Sequence, residues 1–494
     1  MGLTFWKHQL EAISHAKHRD HIALFMEVGT GKTATAIQIL REWCLIENKV
    51  LSGIVLCPPI VIDQWKEEFI KFSKLGGYIV PVKGTGKQRA KILADNIGKP
   101  RIFITNYETL NMADCFKLLT KAKLDVLVAD ECHKLKSGTA KRTKQTIALS
   151  ATTRKRIIMT GTPILQSPLD LFSQFLVMDG GETFGKNFFV FRATYFYDKN
   201  AGMPKHIHFP DWRMRPNVEK KLNELVYKKA VRAKKSECLD LPPLLREEVP
   251  VEMSPQQKKV YKQMEEDLVV FMDEHGGEGV ADVDLILTQV LRLQQIVSGF
   301  IPVTTEGVEE KIIEFEDNPR EVALTNLLEE ITPGNKVIVW ASFKQNYEAI
   351  RRVCERVGVK YVEITGQRTE KQKAEAVKLF REDDSYRVCI ANQKAGGVGL
   401  NLIEASYSIY YSRSYSLEDD IQSEARNYRG GSERHDKVTR IDLVCRGSVD
   451  DIVLDTLKQK QNLAEKILDL RALLGKKACL QISKQTPKEN ECQM

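Results

Sequence analysis

The sequence predicts an α/β protein with two doubly wound parallel sheets and a helical insertion between them. Apolar strand-like runs alternate with helical patterns up to about residue 165, the alternation stops over 166–320, and it resumes from 321. Strands that alternate with helices form parallel sheets. The runs are nearly continuous in Val, Ile and Leu, which is typical of strands covered on both faces.

The first unit spans residues 1–165. Its strand-like runs lie at 21–28, 50–58, 100–108, 124–131 and 155–163, and its clearest helical patterns lie at 33–46 and 61–73. Strands of this length separated by helical segments indicate a parallel sheet.

The region 166–320 has a different pattern. An aromatic, irregular stretch at 184–200 is followed by helical patterns at 217–233 and 255–274. The second pattern begins after Ser254, with Pro255 in the first helical position. We predict that this region forms a helical insertion with protrusions and a linker.

The second unit spans residues 321–475, and a polar, Lys-rich tail follows at 476–494. Strands are predicted at 335–342, 360–365, 386–392, 407–412 and 439–445, with helices at 345–358 and 370–382. The return of the alternation predicts a second parallel sheet.

Composition excludes several classes of protein. The 494 residues carry a formal charge of +8, which permits a polyanionic partner without requiring one. The ten cysteines include no C-x-x-C pair, so neither a zinc ribbon nor a dithiol redox motif is predicted, and reduced thiols suit a cytoplasmic protein. No apolar run approaches the ~18 residues of a membrane span, so we expect no membrane segment.

The letters GTGK occur twice, at 29–32 and at 84–87. The first copy follows a buried strand and opens a helix, so its backbone N–H groups can face a phosphate. Lys32 would reach the β and γ oxygens, and the Thr33 hydroxyl would hold Mg²⁺. Met26 stands where the strict pattern has glycine.

The second copy ends in Gln88 instead of a metal-binding hydroxyl. It therefore lacks a ligand for Mg²⁺, and a basic stretch follows it. We predict only a turn between a short strand and a helix.

The segment DECH (130–133) ends an apolar strand with two carboxylates. Asp130 is placed to hold Mg²⁺, and Glu131 is placed to orient and polarise an attacking water molecule. An Asp-Glu strand end a hundred residues after GKT is far more specific than either motif alone, and it predicts hydrolysis of a nucleoside triphosphate.

These motifs, with MTGTP (159–163), resemble those of superfamily-two helicases. IANQKAGGVGLNL (390–402) and QSEARNYRGG (422–431) look like the fifth and sixth helicase motifs. The chain is particularly similar to Swi/Snf-type double-stranded-DNA translocases, through CPPIVIDQWKEEF (57–69), ITNYETL (104–110), VIVWASF (337–343) and RGSVDDIVLDTLKQK (446–460). The resemblance covers about residues 3–462 and implies two RecA-like lobes.

The resemblance also implies roles for residues at an ATP site. Gln9 would read the adenine edge, and Gly399 would lie close to the nucleotide or the DNA. Contacts to phosphates or Mg²⁺ would come from Gly29, Thr30, Gly31, Lys32, Thr33 and Asp130. Arg426 and Arg429 match the paired arginines of the sixth motif. Arg429 is our first choice for the arginine finger, although the i, i+3 spacing also suits a solvated helix face.

Coupling and DNA contacts are implied in the same way. Hydrolysis would be coupled to lobe movement by His133, Thr160, Thr162 and Gln422. DNA would be contacted by Gln64, Trp65, Thr105, Asn106, Tyr107, Ser342, Lys344, Gln393 and Lys394. A core position is the alternative for Trp65 and Tyr107, and the two lysines also suit an ordinary surface.

Two departures bear on the subfamily. Residues 164–168 read ILQSP where the family usually has Gln-Asn, and the placement of Pro168 is similar to a branch that includes fork-remodelling translocases. Residues 430–432 read GGS where the family usually has Ile-Gly-Gln. ATP hydrolysis remains predicted, whereas nucleosome remodelling is not specifically indicated.

The leading hypothesis is an ATP- and Mg²⁺-dependent translocase on duplex or branched DNA that remodels forks, junctions or protein–DNA complexes. One alternative is a DExH-type RNA helicase. Another is an ATP-gated DNA-binding switch or assembly subunit that does not translocate. We expect a monomer, because both halves of the ATP site lie in one chain, located in the cytoplasm of a bacterium or a phage-infected host.

Overall fold

The computed structural model describes residues 5–161, 168–203, 210–275, 280–303, 311–394 and 400–458. Within these ranges two parallel sheets form the centres of two lobes, which confirms the predicted fold class. None of the helices described is long and apolar enough to cross a lipid bilayer. The predicted tail, 476–494, lies outside the described residues.

The first lobe begins with six strands and six helices. The strands are β1 (His21–Met26), β2 (Gly53–Leu56), β3 (Ile79–Pro81), β4 (Ile102–Thr105), β5 (Val126–Asp130) and β6 (Lys155–Thr160). The helices are α1 (Lys7–Ala16), α2 (Lys32–Ile46), α3 (Ile62–Phe72), α4 (Gly86–Asn96), α5 (Ala113–Lys121) and α6 (Lys141–Ser150). The predicted strands of this lobe are all present, each shorter than its apolar run.

A protrusion follows on the same lobe. It contains α7 (Leu171–Asp179), α8 (Phe188–Tyr195), the antiparallel pair β7 (Phe196–Asp198) and β8 (Trp212–Met214), and α9 (Glu219–Tyr227). Its aromatic side chains, including Phe175, Phe184 and Phe191, belong to the same hydrophobic core as one face of the first sheet. Several aromatic residues of the stretch seen in the sequence are therefore core of the first lobe, whereas Phe189 and Tyr197 are exposed.

The chain then returns to the first sheet as β9 (Ala230–Ala233). The sheet order is β3-β4-β2-β5-β6-β1-β9, and every neighbouring pair is parallel. β1 and β5 flank β6, so Met26 and Asp130 end at the same edge of the sheet. The carboxyl edge of an open parallel sheet is where ligands bind.

The helix predicted over 217–233 is wrong in its second half. α9 ends at Tyr227, and residues 230–233 pair with β1, where the N–H of Glu27 donates to the carbonyl of Ala233 at 2.9 Å. Alanine favours helices in isolation, but the backbone groups at the edge of β1 gain partners only from a strand. Tertiary pairing therefore overrides local propensity.

The second lobe takes in the rest of the described chain. After the short helix α10 (Lys235–Cys238), its strands are β10 (Leu244–Pro250), the pair β11 (Phe300–Val303) and β12 (Lys311–Glu314), β13 (Lys336–Trp340), β14 (Lys360–Ile364), β15 (Tyr386–Ala391), β16 (Ala405–Tyr410) and β17 (Val438–Val444). Its helices are α11 (Pro255–His275), α12 (Val280–Val297), α13 (Pro319–Ile331), α14 (Lys344–Val357), α15 (Glu370–Glu382), α16 (Leu417–Glu424) and α17 (Val449–Lys458). The sheet order is β10-β17-β16-β13-β15-β14, again parallel throughout.

The predicted insertion over 166–320 is not one unit. β9 belongs to the first sheet, whereas β10, which the sequence did not predict, belongs to the second. Farther along, α11 and α12 share a hydrophobic cluster with α17 of the second lobe. The boundaries predicted at 165 and 321 therefore do not separate the lobes, and the chain crosses between them at 234–243.

Candidate active site

The first GTGK segment forms a tight loop between β1 and α2. Gly29 has φ of 93° and Gly31 has φ of 82°, both in the left-handed region. A methyl group on Gly29 would lie 2.6 Å from Cβ of Arg429, and one on Gly31 would clash with Nε2 of Gln9. Only glycine fits both positions. A loop of this form before a helix N-terminus presents backbone N–H groups to an anion.

Lys32 is the first residue of α2 and is buried. Its Nζ donates a hydrogen bond to the carbonyl of Met26 at 2.9 Å. Burial lowers the pKa of Lys32, while the charges of Glu131 and Asp130 oppose this shift. The ammonium group is thus held at the mouth of the loop beside two carboxylates.

Asp130 is fixed by side chains from two other elements. Its Oδ2 accepts a hydrogen bond from Nε1 of Trp65 at 2.9 Å, and its Oδ1 accepts from the N–H of Glu131 at 2.9 Å. The hydroxyl of Tyr107 donates to the Asp130 carbonyl at 2.7 Å. Burial and the charge of Glu131 raise the pKa of Asp130 to about 6, opposed by Trp65 and Lys32.

Glu131 has a backbone conformation that is unusual for its residue type. Its φ of 51° and ψ of 52° lie in the left-handed region, which non-glycine residues adopt rarely and which clusters at functional sites. Its Oε2 accepts from the hydroxyl of Thr160 at 3.2 Å and lies 3.2 Å from Nδ1 of His133. Burial would raise the pKa of Glu131, but His133 and Lys32 lower it to about 2.

His133 connects the two lobes. Its Nδ1 lies 3.0 Å from Oγ1 of Thr160, and its Nε2 lies 2.7 Å from Oε1 of Glu418 at the start of α16. Burial opposes the imidazolium, but hydrogen bonds with Glu131 and Glu418 raise the pKa of His133 to about 9. Gln422 donates to the same Glu418 oxygen at 3.1 Å.

The second lobe contributes two arginines in the turn after α16. Arg426 and Arg429 both donate through Nη1 to the carbonyl of Leu400, at 3.2 and 3.3 Å. The Nε atom of each is buried and has no hydrogen-bond partner among the described residues. Burial lowers the pKa of Arg426 to about 9 and also lowers that of Arg429. Buried cations with unused donors fit an anionic ligand.

A cleft of about 330 Å³ joins these groups. Its lining includes the phosphate loop, the carboxylates and the arginines, together with the apolar side chains of Phe5, Trp6, Val61 and Phe72. Gln9 also lines the cleft, where its Oε1 accepts from the N–H of Trp6 at 2.9 Å and its Nε2 donates to the Gly31 carbonyl at 3.2 Å. Apolar side chains suit a base, and cationic side chains suit phosphates.

Most residues predicted for the ATP site meet in this cleft. Its lining includes Gln9, Gly29, Gly31, Lys32, Thr33, Asp130, Glu131, Arg426 and Arg429. Thr30 is fully buried, and its hydroxyl donates to the Glu27 carbonyl at 2.7 Å. Thr162 and Gly399 lie outside the described residues. The functional roles of these residues remain predictions.

The predicted DNA contacts are more scattered. Gln64 lines the cleft described above. Thr105 and Asn106 are buried: the Thr105 hydroxyl donates to Val82, and Oδ1 of Asn106 accepts from the N–H of Thr109. The Thr105 and Asn106 side chains are therefore bonded to other protein groups, whereas Gln64 is half-buried at the cleft. Contact of these three residues with DNA stays a prediction.

The predicted DNA contacts on the second lobe include both buried and exposed residues. Gln393 is buried and accepts a hydrogen bond from the Ser342 hydroxyl at 3.1 Å. Lys344 and Lys394 are exposed. They follow β13 and β15, which are neighbours, so both lysines lie at the carboxyl edge of the second sheet.

Several residues that support the site were not predicted from the sequence. Trp65 and Tyr107 were weighed as DNA contacts or core residues, whereas the structure shows that they hold Asp130. Glu418 could have been predicted as a site residue, because it lies one helical turn before Gln422 and so shares its helix face. Lys235, at the start of α10, could not, since it stands in an ordinary-looking Lys-Lys pair.

Two domain families match the chain. The SNF2-related domain matches residues 8–299, and the helicase conserved C-terminal domain matches residues 320–431. A Sulfolobus solfataricus SWI2/SNF2 ATPase core, solved in complex with double-stranded DNA, aligns over 94% of this chain and 93% of its own, at 22% identity and a TM-score of 0.42.

Curated relatives are similar over nearly the whole chain. An uncharacterized ATP-dependent helicase of Mycoplasma pneumoniae is 24% identical over 90% of this chain, and the transcription regulatory protein SNF2 of Saccharomyces cerevisiae is 25% identical over 90%. Mouse chromodomain-helicase-DNA-binding protein 1-like is 26% identical over 95%. The chain spans 40%, 26% and 50% of these proteins, respectively. Because the SNF2-related domain alone matches more than half of the chain, the protein belongs to the SNF2-related family, as its Swi/Snf-type motifs indicated.

Proposed function

We propose that the protein hydrolyses ATP and uses the energy to move on duplex or branched DNA, remodelling forks, junctions or protein–DNA complexes. The observation that carries this proposal is the division of the cleft between the lobes. Lys32 and Glu131 lie on the first lobe, and the arginines with unused Nε donors lie on the second. A site completed only by lobe closure ties each hydrolysis event to a movement.

The residues present fit a nucleoside triphosphate. The phosphate loop and Lys32 would hold the phosphates, and the apolar side chains that line the cleft would take the base. Thr33 and Asp130 would hold Mg²⁺, which when bound neutralises charge on the phosphates. The hydrogen bonds from Trp65 and Glu131 to Asp130 fix the orientation of its carboxylate for that purpose.

Glu131 would orient the attacking water and accept its proton. Despite burial, His133 and Lys32 lower the pKa of Glu131, so its carboxylate is ionised and able to accept a hydrogen bond from the water. The water oxygen bonds to the γ-phosphorus, and the bond from that phosphorus to the bridging oxygen of ADP breaks. Arg426 and Arg429 both line the cleft, and the buried Nε of each has no partner among the described residues, so both arginines are candidates to stabilise the charge that develops.

The DNA part of the proposal is supported by relatives and by charge. The mouse relative is named chromodomain-helicase-DNA-binding protein 1-like, and the relative from Mycoplasma pneumoniae is named an uncharacterized ATP-dependent helicase. The chain carries a net charge of +8, and Lys344 and Lys394 are exposed at one sheet edge. Contacts of this kind go to phosphates, so binding would be tolerant of sequence and would weaken steeply with salt.

The first test is steady-state ATP hydrolysis without nucleic acid and with single-stranded DNA, duplex DNA, branched DNA or RNA. We expect duplex or branched DNA to stimulate hydrolysis strongly, and Glu131→Gln to abolish it. Stimulation by RNA alone would instead support an RNA helicase. Equal rates in all samples would show that hydrolysis is not coupled to DNA.

The second test separates movement from a static switch. A third DNA strand bound in the path of a translocase is displaced as the motor passes. We expect ATP-dependent release of the third strand by the wild type and none by Glu131→Gln. DNA-stimulated hydrolysis without release would favour the ATP-gated switch.

A further inference from the structure

Lys235 lies where the chain leaves the first lobe for the second. It is the first residue of α10, which directly follows β9. Because β9 pairs with β1 and ends opposite Met26, it places Lys235 beside the start of the phosphate loop. The crossing segment is therefore part of the surroundings of the cleft.

The backbone of Lys235 is joined to the phosphate loop. Its N–H donates to Oε2 of Glu27 at 2.9 Å, and Glu27 is itself fixed by its own N–H to Ala233. A methyl group on Gly29 would lie 3.7 Å from Cε of Lys235. The side chain thus runs alongside the loop.

The end of the side chain reaches the second lobe. Nζ of Lys235 donates to the backbone carbonyl of Tyr428 at 2.9 Å and lies 5.4 Å from the centre of its ring. Tyr428 directly precedes Arg429, whose Cβ comes closest to Gly29. One lysine therefore spans from the phosphate loop to the backbone that carries an arginine of the site.

Charged groups of both signs surround the Lys235 ammonium group. Glu424 and Glu27 attract its ammonium group, whereas Arg429 and Lys32 repel it. Glu424 is also held by Arg246 and Arg440, so the lysine is one of several cations near that carboxylate. The hydrogen bond to the Tyr428 carbonyl, rather than an ion pair, defines where the side chain ends.

We propose that Lys235 is a positioning residue that locks Arg429 against the phosphate loop when the lobes are together. The inference rests on the proposed ATP hydrolysis. It goes beyond that activity because it gives the crossing segment, residues 234–243, a role in aligning the arginine of the second lobe. Loss of the hydrogen bond from Nζ to the Tyr428 carbonyl would then release the arginine, while the backbone bond from Lys235 to Glu27 stays in place.

The test compares Lys235→Ala, Lys235→Arg and the neighbouring control Lys234→Ala in the full chain. Lys234 forms a surface ion pair with Glu237 and reaches no part of the cleft in this structure. For Lys235→Ala we expect the DNA-stimulated kcat to fall about 10- to 100-fold, because small misplacement of a catalytic group has this effect. The KM for ATP and the melting temperature should stay close to wild type. Lys235→Arg should recover most of the rate, and Lys234→Ala should match wild type.

A second readout reports the transition state. Aluminium fluoride with ADP mimics the transferring phosphoryl group, so it binds tightly only when the arginine is in place. We expect Lys235→Ala to retain the affinity for fluorescent ADP and to lose at least tenfold of the tightening caused by aluminium fluoride. A merely structural role would change both affinities or the melting temperature.

Three results would overturn the inference. An unchanged kcat in Lys235→Ala would show that the lysine positions nothing. A raised KM with an unchanged kcat would make it a phosphate contact. A large loss of thermal stability in both Lys235 variants would make it a structural residue. Absence of hydrolysis in the wild type would overturn the proposed function itself, which is a distinct outcome.

Discussion

The two GTGK segments share four residues and the first backbone turn but diverge after it. Gly29 and Gly84 are both left-handed, with φ of 93° and 97°. In the first copy Gly31 is also left-handed and caps α2, which begins at Lys32. In the second copy the helix begins one residue earlier, at Gly86.

The threonines account for this divergence. Thr85 accepts a hydrogen bond from the N–H of Gln88, and Gln88 accepts from the N–H of Thr85, so the helix N-terminus satisfies its own donors. The hydroxyl of Thr30 instead turns back to Glu27. The N–H groups that follow stay available for a ligand.

The position in the sheet separates the copies further. The first copy follows β1, which lies inside the sheet and two strands from the carboxylates at the end of β5. The second copy follows β3 at the sheet edge. The two copies therefore differ in backbone form and in surroundings, and only the first is predicted to bind phosphate.

The strongest contrast is expected for the two lysines. Lys32→Ala should lower the DNA-stimulated kcat by about 10²–10³-fold, the range seen when one donor to a developing charge is removed. Lys87→Ala should leave kcat within about twofold, since exposed substitutions away from a site have small effects. Steady-state hydrolysis of the two variants checks this, and equal losses would contradict the assignment of the first loop.

The glycines should differ in stability and activity. Gly29→Ala places a methyl group 2.6 Å from Cβ of Arg429 in a left-handed backbone, so we expect it to cost about 1–3 kcal/mol and to impair hydrolysis. Gly86 is helical, and a methyl group there meets only Sδ of Met112 at 3.5 Å. Gly86→Ala should therefore be neutral or stabilising by up to about 1 kcal/mol. Urea unfolding monitored together with hydrolysis measures both, and a stable, active Gly29→Ala would contradict the close approach.

The capping hydroxyl predicts a smaller effect confined to stability. Thr85→Ala should lower the free energy of unfolding by about 0.5–2 kcal/mol, because α4 loses its N-cap. Its kcat and KM should equal those of wild type. Thr85→Ser, which keeps the cap, is the matched control, and a loss of activity in Thr85→Ala alone would link the second copy to function.

The smallest effect is expected when the second copy is completed. Gln88→Thr creates the full GTGKT sequence, but it also removes half of the capping box and brings no carboxylate closer. Introduced into Lys32→Ala, it should restore neither hydrolysis nor binding of a fluorescent ATP analogue. Any recovery would show that the five letters are sufficient without their surroundings.

The sequence predicted both sheets and the contents of the cleft because those depend on local signals. Long apolar runs identified the strands, and the phosphate loop, DECH and the arginine pair identified the site residues. The failures involve pairing between distant segments. The sequences AVRA (230–233) and LLREEVP (244–250) do not have the long apolar runs of the other strands. Each forms a strand by pairing with the edge of a sheet made by distant segments.

The supporting residues of the site were harder to predict for a related reason. The contact of Trp65 with Asp130 spans 65 positions, and that of Lys235 with Tyr428 spans 193. Neither residue type nor spacing encodes such contacts. In the same way, the burial of Thr105 and Gln393 could not be predicted from the motifs that contain them.

Within the described chain, the covalent path between the two sheets runs through the ten residues 234–243. Extended backbone spans about 3.3–3.6 Å per residue, so this linker can span no more than about 35 Å. A tether this short keeps each lobe at an effective concentration in the millimolar range around the other. Opening the cleft to release a product therefore does not dilute the two halves of the site. The rate at which the two lobes close again is therefore independent of the protein concentration.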